Sequence, residues 1–194
     1  MYTAPLTTLD RLFFIQSINK TVEKLDGTIL DIIDYSRNSH NEIQLSSIDI
    51  KELVTQSFSE RKFTNINVDF SVECDSNAAF TSDSKRVISV IDNVISNSLK
   101  YSDSNKEKQY LKVKIQINDH ACVIQLEDNG IGMSEEALAN AFIMFYRGTN
   151  KVSGSGLGLY IVKEILDKIE GTVKLVSEIG VGTTTIITLK NLKQ

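Results

Sequence analysis

The chain has 194 residues, 41% of them hydrophobic and 24% charged, which suits an ordinary globular protein with room for one full domain and an appendage. A net charge of −4 with no basic block excludes the electrostatic footprint of a nucleic-acid or anionic-membrane binder. No apolar run approaches the roughly 18–20 residues of a membrane helix, and Cys74 and Cys122 lack close thiol or histidine neighbours, so reduced thiols in a cytoplasmic protein are expected rather than a zinc site.

Residues 9–37 are predicted to form a long helix. Ile15, Ile18, Val22, Leu25, Ile29 and Ile32 recur at spacings of three and four, a narrow a/d seam with Glu23, Lys24 and Asp26 off it. Such a seam suits pairing with another helix; packing on its own domain is the alternative. Ser36 to Ser47 is polar and reads as a linker, with His40 solvated in it. The division expected is a dimerisation helix and linker over 1–47 and a folded domain over 48–194. The chain opens inside what reads as a longer element, as a piece of a larger protein would.

Asp49 is placed to cap a short helix reaching about Glu60, Ile66–Val72 alternates as a strand, and a brief apolar stretch around Phe80 follows. Ser82 or Asp83 caps a helix to about Tyr101, with Val87, Ile91, Val94 and Ser98 along its stripe. Leu111–Ile117 alternates apolar and polar residues and pairs with Ala121–Asp128 across a turn at Asn118–His120. Ser134 caps a short acidic helix, residues 142–155 are irregular, and a helix over about 156–169 stops at Gly171. Strands over 172–178 and 183–190 flank a turn at Gly180 and Gly182. Segregated helices and strands imply an α+β two-layer sandwich, a mixed sheet with helices on one face, preceded by one long helix.

Three features carry chemistry. Asn93, Asn97, Lys100 and Tyr101 share one helical face. That face is either simply solvated or a site, since an asparagine oxygen can ligate Mg²⁺ and a lysine one turn on can neutralise phosphate. Asp128 ends the row Cys122, Ile124, Leu126, so its carboxylate needs a donor; a purine amino group and a backbone amide of the turn are both candidates. Gly130 and Gly132 permit close approach behind it. The run Gly154-Ser155-Gly156-Leu157-Gly158-Leu159 opens a helix whose amides favour an anion, yet it is neither a Walker loop nor a dinucleotide fingerprint.

Taken together, these segments resemble the GHKL superfamily of ATP-binding proteins, and within it the sensor histidine kinases. Asn93 to Tyr101 resembles the N box, Asp128 to Gly132 the G1 box, Phe142 to Arg147 the F box, Gly154 to Leu159 the G2 box and Gly180 to Thr184 the last glycine motif. The resemblance implies the Bergerat fold and ATP with Mg²⁺ as cofactors. It implies that Asn97 holds the metal, Asn93 and Lys100 support metal and phosphates, and Tyr101 packs at the adenine. Asp128 would accept from the adenine amino group with Thr183 near by, and Gly130 and Gly132 would flank it. Residues 142–155 would be a mobile lid anchored by Phe145, with Tyr146 beside it and Arg147 reaching the terminal phosphate. Gly154, Gly156, Leu157, Gly158 and Leu159 would return the lid and present amides to phosphate.

Superfamily hydrolases carry a glutamate one turn before the metal-binding asparagine, where this chain has Asn93, which cannot act as a base at neutral pH. Phosphoryl transfer to an outside nucleophile is therefore expected. Ile15–Arg37 resembles the second helix of the kinase bundle, and Ala4-Pro5-Leu6 faintly resembles the end of an H box. Neither His40 nor His120 sits in an H box, so the acceptor histidine is expected on another helix. The partners implied are that helix, a response-regulator receiver domain and a second copy bound through the long helix, with no nucleic acid.

Overall fold

A computed structural model describes residues 7–40, 42–61, 68–149, 152 and 154–192. The expected strand start at Ile66, the segment Ala4-Pro5-Leu6 and lid residues Asn150, Lys151 and Ser153 lie outside the described residues. In chain order the elements are α1 (Thr8–His40), β1 (Leu45–Ser47), α2 (Ile50–Arg61), β2 (Val68–Ser76), β3 (Thr81–Asp83), α3 (Ser84–Lys100), β4 (Gln109–Ile117), β5 (Ala121–Asp128), α4 (Glu135–Ala139), α5 (Gly158–Lys168), β6 (Thr172–Glu178) and β7 (Gly182–Lys190). None of the described helices is long and apolar enough to cross a membrane.

Five strands form one sheet in the order β2-β4-β5-β7-β6, with β2 parallel to β4 and the other pairs antiparallel. The alternation in β4 and β5 has the expected consequence. Leu111, Val113, Ile115, Cys122, Ile124 and Leu126 are buried on one face, while Lys112, Lys114 and Gln116 are exposed on the other. Onto the apolar face pack α2, α3 and α5, through Val54, Phe58, Val87, Ile91, Val94, Ile95, Ile161, Val162 and Leu166. Each fully buried aliphatic side chain of this kind contributes about 1.5–3 kcal/mol. The buried stripe of α3 holds the helix whose opposite side carries Asn93 and Asn97.

Asp83 is the N-cap of α3, accepting the Arg86 amide at 3.1 Å, and Ser134 caps α4 by accepting the Ala137 amide at 3.1 Å. A second, two-stranded sheet pairs β1 with β3. Its far side is clasped by Asn191, whose Oδ1 accepts the Thr81 amide at 3.0 Å and whose Nδ2 donates to the carbonyls of Ala79 and Asn118. The Leu192 amide then donates to the Thr81 carbonyl at 2.9 Å.

Two expectations are corrected. The stretch from Ser36 to His40, expected as linker, is helical and completes α1. Leu45–Ser47, also expected as linker, is a strand on β3. The helix α5 stops ahead of Gly171 as expected, and Glu170 takes positive φ there, at 55°. Gly171 is required because a Cβ there would lie 2.9 Å from both Leu166 Cδ2 and the Thr188 carbonyl. Along α1 the whole seam from Ile15 to Ile32 is exposed, and the helix meets the sandwich at α5.

Candidate functional site

Strand register places Asp128 at the end of β5, opposite Thr183 of β7 and Leu111 of β4. Its Oδ1 accepts the amides of Gly130 at 2.9 Å and Thr183 at 3.2 Å, and the Ser98 hydroxyl of α3 also donates to the carboxylate. Burial raises its pKa, opposed by the Gly130 amide, the Ser98 hydroxyl, the Thr183 amide and the charge of Lys106. The amides of the turn at Gly130 and of the start of β7 thus share one oxygen. A carboxylate has about four acceptor positions, so capacity remains for a further donor.

That carboxylate lines a cavity of about 440 Å³, within the range of small-ligand pockets. Of the residues expected at the site, Asn97, Tyr101, Asp128, Gly132, Tyr146, Arg147, Leu159 and Thr183 line it. Ser98 and an apolar wall of Ile131, Met133, Ala137, Leu175 and Ile179 do so without having been foreseen. Leu175 had a legible signal in the alternation of β6; Ala137 and Ile179 had none, since only the approach of α4 and the β6–β7 turn brings them there.

The other expected residues surround the cavity. Asn93 Nδ2 donates to the Ser89 carbonyl at 2.8 Å, which turns Oδ1 toward the start of α5. A Cβ at Gly158 would come within 2.9 Å of Asn93 Oδ1 and 3.6 Å of Asn97 Nδ2, so the two asparagines meet the helix N-terminus there. The N-cap of that helix is Leu157, whose side chain makes no capping bond. Leu157 itself is 1% exposed and belongs to the core, not to a ligand surface. A Cβ at Gly154 would collide with Lys100 Nζ, which places Lys100 under the returning lid.

Gly130 and Gly132 serve the protein's own backbone. A Cβ on Gly130 would collide with the Tyr101 carbonyl, and one on Gly132, which has φ of 68°, would collide with that of Glu178. Lys106, not expected at the site, donates from Nζ to the Val181 carbonyl at 2.9 Å and to that of Gly130 at 3.4 Å, tying the two turns together.

Residues 146–149 lie over the cavity, and the Phe145 amide donates to the Gly156 carbonyl at 3.1 Å. Phe145 has φ of 64° and the residue is 53% exposed, so this segment is anchored through its backbone. Arg147 Nη2 donates to the Val152 carbonyl at 2.6 Å, while its buried Nε has no partner among the described residues. Burial raises the pKa of Tyr101, offset in part by the Arg147 charge.

Acceptor, apolar wall, unpaired guanidinium nitrogen and uncapped helix end suit a molecule with a flat polar-edged base and an anionic tail. Fold and site together define an ATP-binding domain of the GHKL class. The chain matches the family described as "Histidine kinase-, DNA gyrase B-, and HSP90-like ATPase" over residues 82–193 and belongs to it. Among curated proteins it is 30% identical over 193 residues to "Drug sensory protein A" of a Synechocystis strain, covering 92% of this chain and 29% of that protein. It is 30% identical over 183 residues to "Sensor protein kinase WalK" of Staphylococcus haemolyticus, covering 91% and 30%. The chain thus spans about a third of the length of these relatives and carries the ATP-binding catalytic domain of the sensor histidine kinase type. Among solved structures it is similar to full-length ShkA in complex with AMPPNP (TM-score 0.75, 20% identity, 98% of this chain and 41% of that one). It is also similar to a mycobacterial sensor histidine kinase, MprB (TM-score 0.64, 22% identity, 79% and 100%).

Proposed function

We propose that this domain binds ATP together with Mg²⁺ and transfers the γ-phosphoryl group to a histidine on a separate bundle helix. The observation that carries this reading is the chemistry of the cavity lining: among its described residues Asp128 is the single carboxylate, and its Oδ1 is held by the amides of Gly130 and Thr183. No second carboxylate is available there to activate water, and Asn93 stands where the family's hydrolases carry glutamate. Transfer needs positioning and charge neutralisation.

Asp128 accepts the adenine amino group, with Thr183 beside it and Tyr101 and the apolar wall against the ring. Asn97 supplies an oxygen to Mg²⁺. Among the described residues no group of three or more histidine, cysteine or carboxylate side chains could hold a metal, which fits an ion that keeps water and phosphate as its other ligands. Asn93, Lys100, Arg147 and the start of α5 take the phosphates. His120 is exposed at the opposite end of β5, about 25 Å from Asp128 at ~3.3 Å per residue, which rules it out as acceptor within one chain. The exposed seam of α1 pairs with a second copy, and the phosphohistidine serves a receiver domain of a response regulator in the cytoplasm. The chain divides at about residues 47–48, with β1 laying the linker on the domain.

Titration with a non-hydrolysable ATP analogue and Mg²⁺ tests binding. Labelled ATP with a separately produced bundle helix bearing the acceptor histidine tests transfer, with acid-labile label on that helix expected. Phosphate release at the same rate without the acceptor would overturn the kinase reading.

A further inference from the structure

The segment entering the sandwich from α1 is stitched down by a buried ion pair that the nucleotide site does not use. Asp83 and Arg86 are 3% and 2% exposed and paired with each other at the start of α3. Asp83 uses Oδ1 to cap α3 and Oδ2 to accept both the Arg86 guanidinium and the Gln44 amide, the latter at 3.1 Å. Arg86 Nη1 also donates to the Glu42 carbonyl at 3.4 Å. Both side chains therefore read the main chain of the linker just ahead of β1.

Within the strand they meet, no buried side chain fixes the register. A strand's register is ordinarily set by a buried side-chain face, since a one-residue slip exchanges the two faces. All three side chains of β1 are exposed, so neither face resists a slip. Ile48, whose amide donates to the Phe80 carbonyl at 2.9 Å, and Ile50 are buried only beyond the strand. Burying an ion pair carries a desolvation cost that well-packed apolar residues would avoid, and specifying register is its best-attested use.

We propose that the Asp83–Arg86 pair positions the linker. It locks the register of β1 on β3, couples the path from α1 rigidly to the helix bearing Asn93, Asn97, Lys100 and Tyr101, and confines any reorientation of α1 against the sandwich to the chain ahead of Glu42. The relevance to transfer rests on the reading above, because the acceptor is carried on the bundle side; the register claim stands without it.

The test uses the full 194-residue chain with spin labels at exposed Cys74 and at Ser46→Cys, diluted with unlabelled protein. One narrow distance distribution is expected from the labelled parent. Gln44→Pro deletes the amide and leaves the buried pair intact; Asp83→Asn keeps the cap and removes the charge. Both are expected to broaden or split the distribution and to cut hydrogen-exchange protection of the Ile48 amide at least tenfold, with affinity for the ATP analogue changing less than threefold. A lower Tm with an unchanged narrow distribution in both variants would show a pair that only stabilises, and would overturn the proposal. Failure of the parent to bind the analogue would instead strike the kinase reading and leave the distance result to be read by itself.

Discussion

The amide of Thr183 donates to Asp128 Oδ1 at 3.2 Å across 55 positions of sequence, so the last hairpin of the fold holds the carboxylate that lines the cavity. Because burial is the largest influence on Asp128 and raises its pKa, the ionised form is a cost to the folded state. That cost sets in as pH rises above the ordinary carboxylate value of 3.8 and is complete above the raised folded value. Asp128→Asn keeps an acceptor for the two amides and removes the charge. It is expected to melt higher than the parent at pH 7, with the difference shrinking as pH falls from the raised folded value toward 3.8 and absent below it, while ATP-analogue affinity drops about 10–100-fold from one mismatched polar contact. Melting curves across pH and titration calorimetry check the two halves independently.

Gly132 and Gly27 should respond in opposite directions to alanine. At Gly132 the positive φ and the nearby Glu178 carbonyl leave no room for a Cβ, and unfolding free energy should fall by more than about 2 kcal/mol. At Gly27, inside α1 with nothing within 4 Å, alanine should add to helix stability by up to about 1 kcal/mol. Denaturant melts for the first and helical ellipticity for the second decide this.

Glu170 holds φ of 55° with an L side chain, and its exposed contact to Lys190 offsets little of that. Glu170→Gly should therefore raise stability by about 1 kcal/mol, read as a higher denaturant midpoint at unchanged slope. A lower midpoint would mean that the Lys190 contact outweighs the backbone strain.

Burial pushes the Cys122 thiol up to about 12, with Cys74 adding to the shift, and Cys74 is exposed. One thiol per chain should react with a thiol reagent at pH 8 under native conditions and two after denaturation, with peptide mapping placing the native label on Cys74.

Sequence patterning revealed the elements with a strong period. The β4 and β5 alternation, the stripe of α3 and the caps at Asp83 and Ser134 all depend on residues close in sequence. It failed at β1, because three exposed residues carry no alternation and their partners, Thr81, Ser82 and Asp83 of β3, lie far along the chain. A second role of two glycines was not legible: Gly130 and Gly132 make room for the carbonyls of Tyr101 and Glu178, and Gly132 also lines the cavity. Ser98 was legible as part of a buried stripe, but its bond to Asp128 is a tertiary fact. Leu157 carried the opposite lesson, standing amid the glycine motif yet packed into the core.

The clasp at Asn191 has a mechanical corollary. Residue 81 is bonded to Asn191 and Leu192 on one side of β3, while β1 lies on the other. The polypeptide therefore comes in and goes out at one corner of the sandwich, through a single short strand. Tension applied between those two leads would be borne by the few hydrogen bonds around β3 and would bypass the five-stranded sheet, leaving the cavity unloaded.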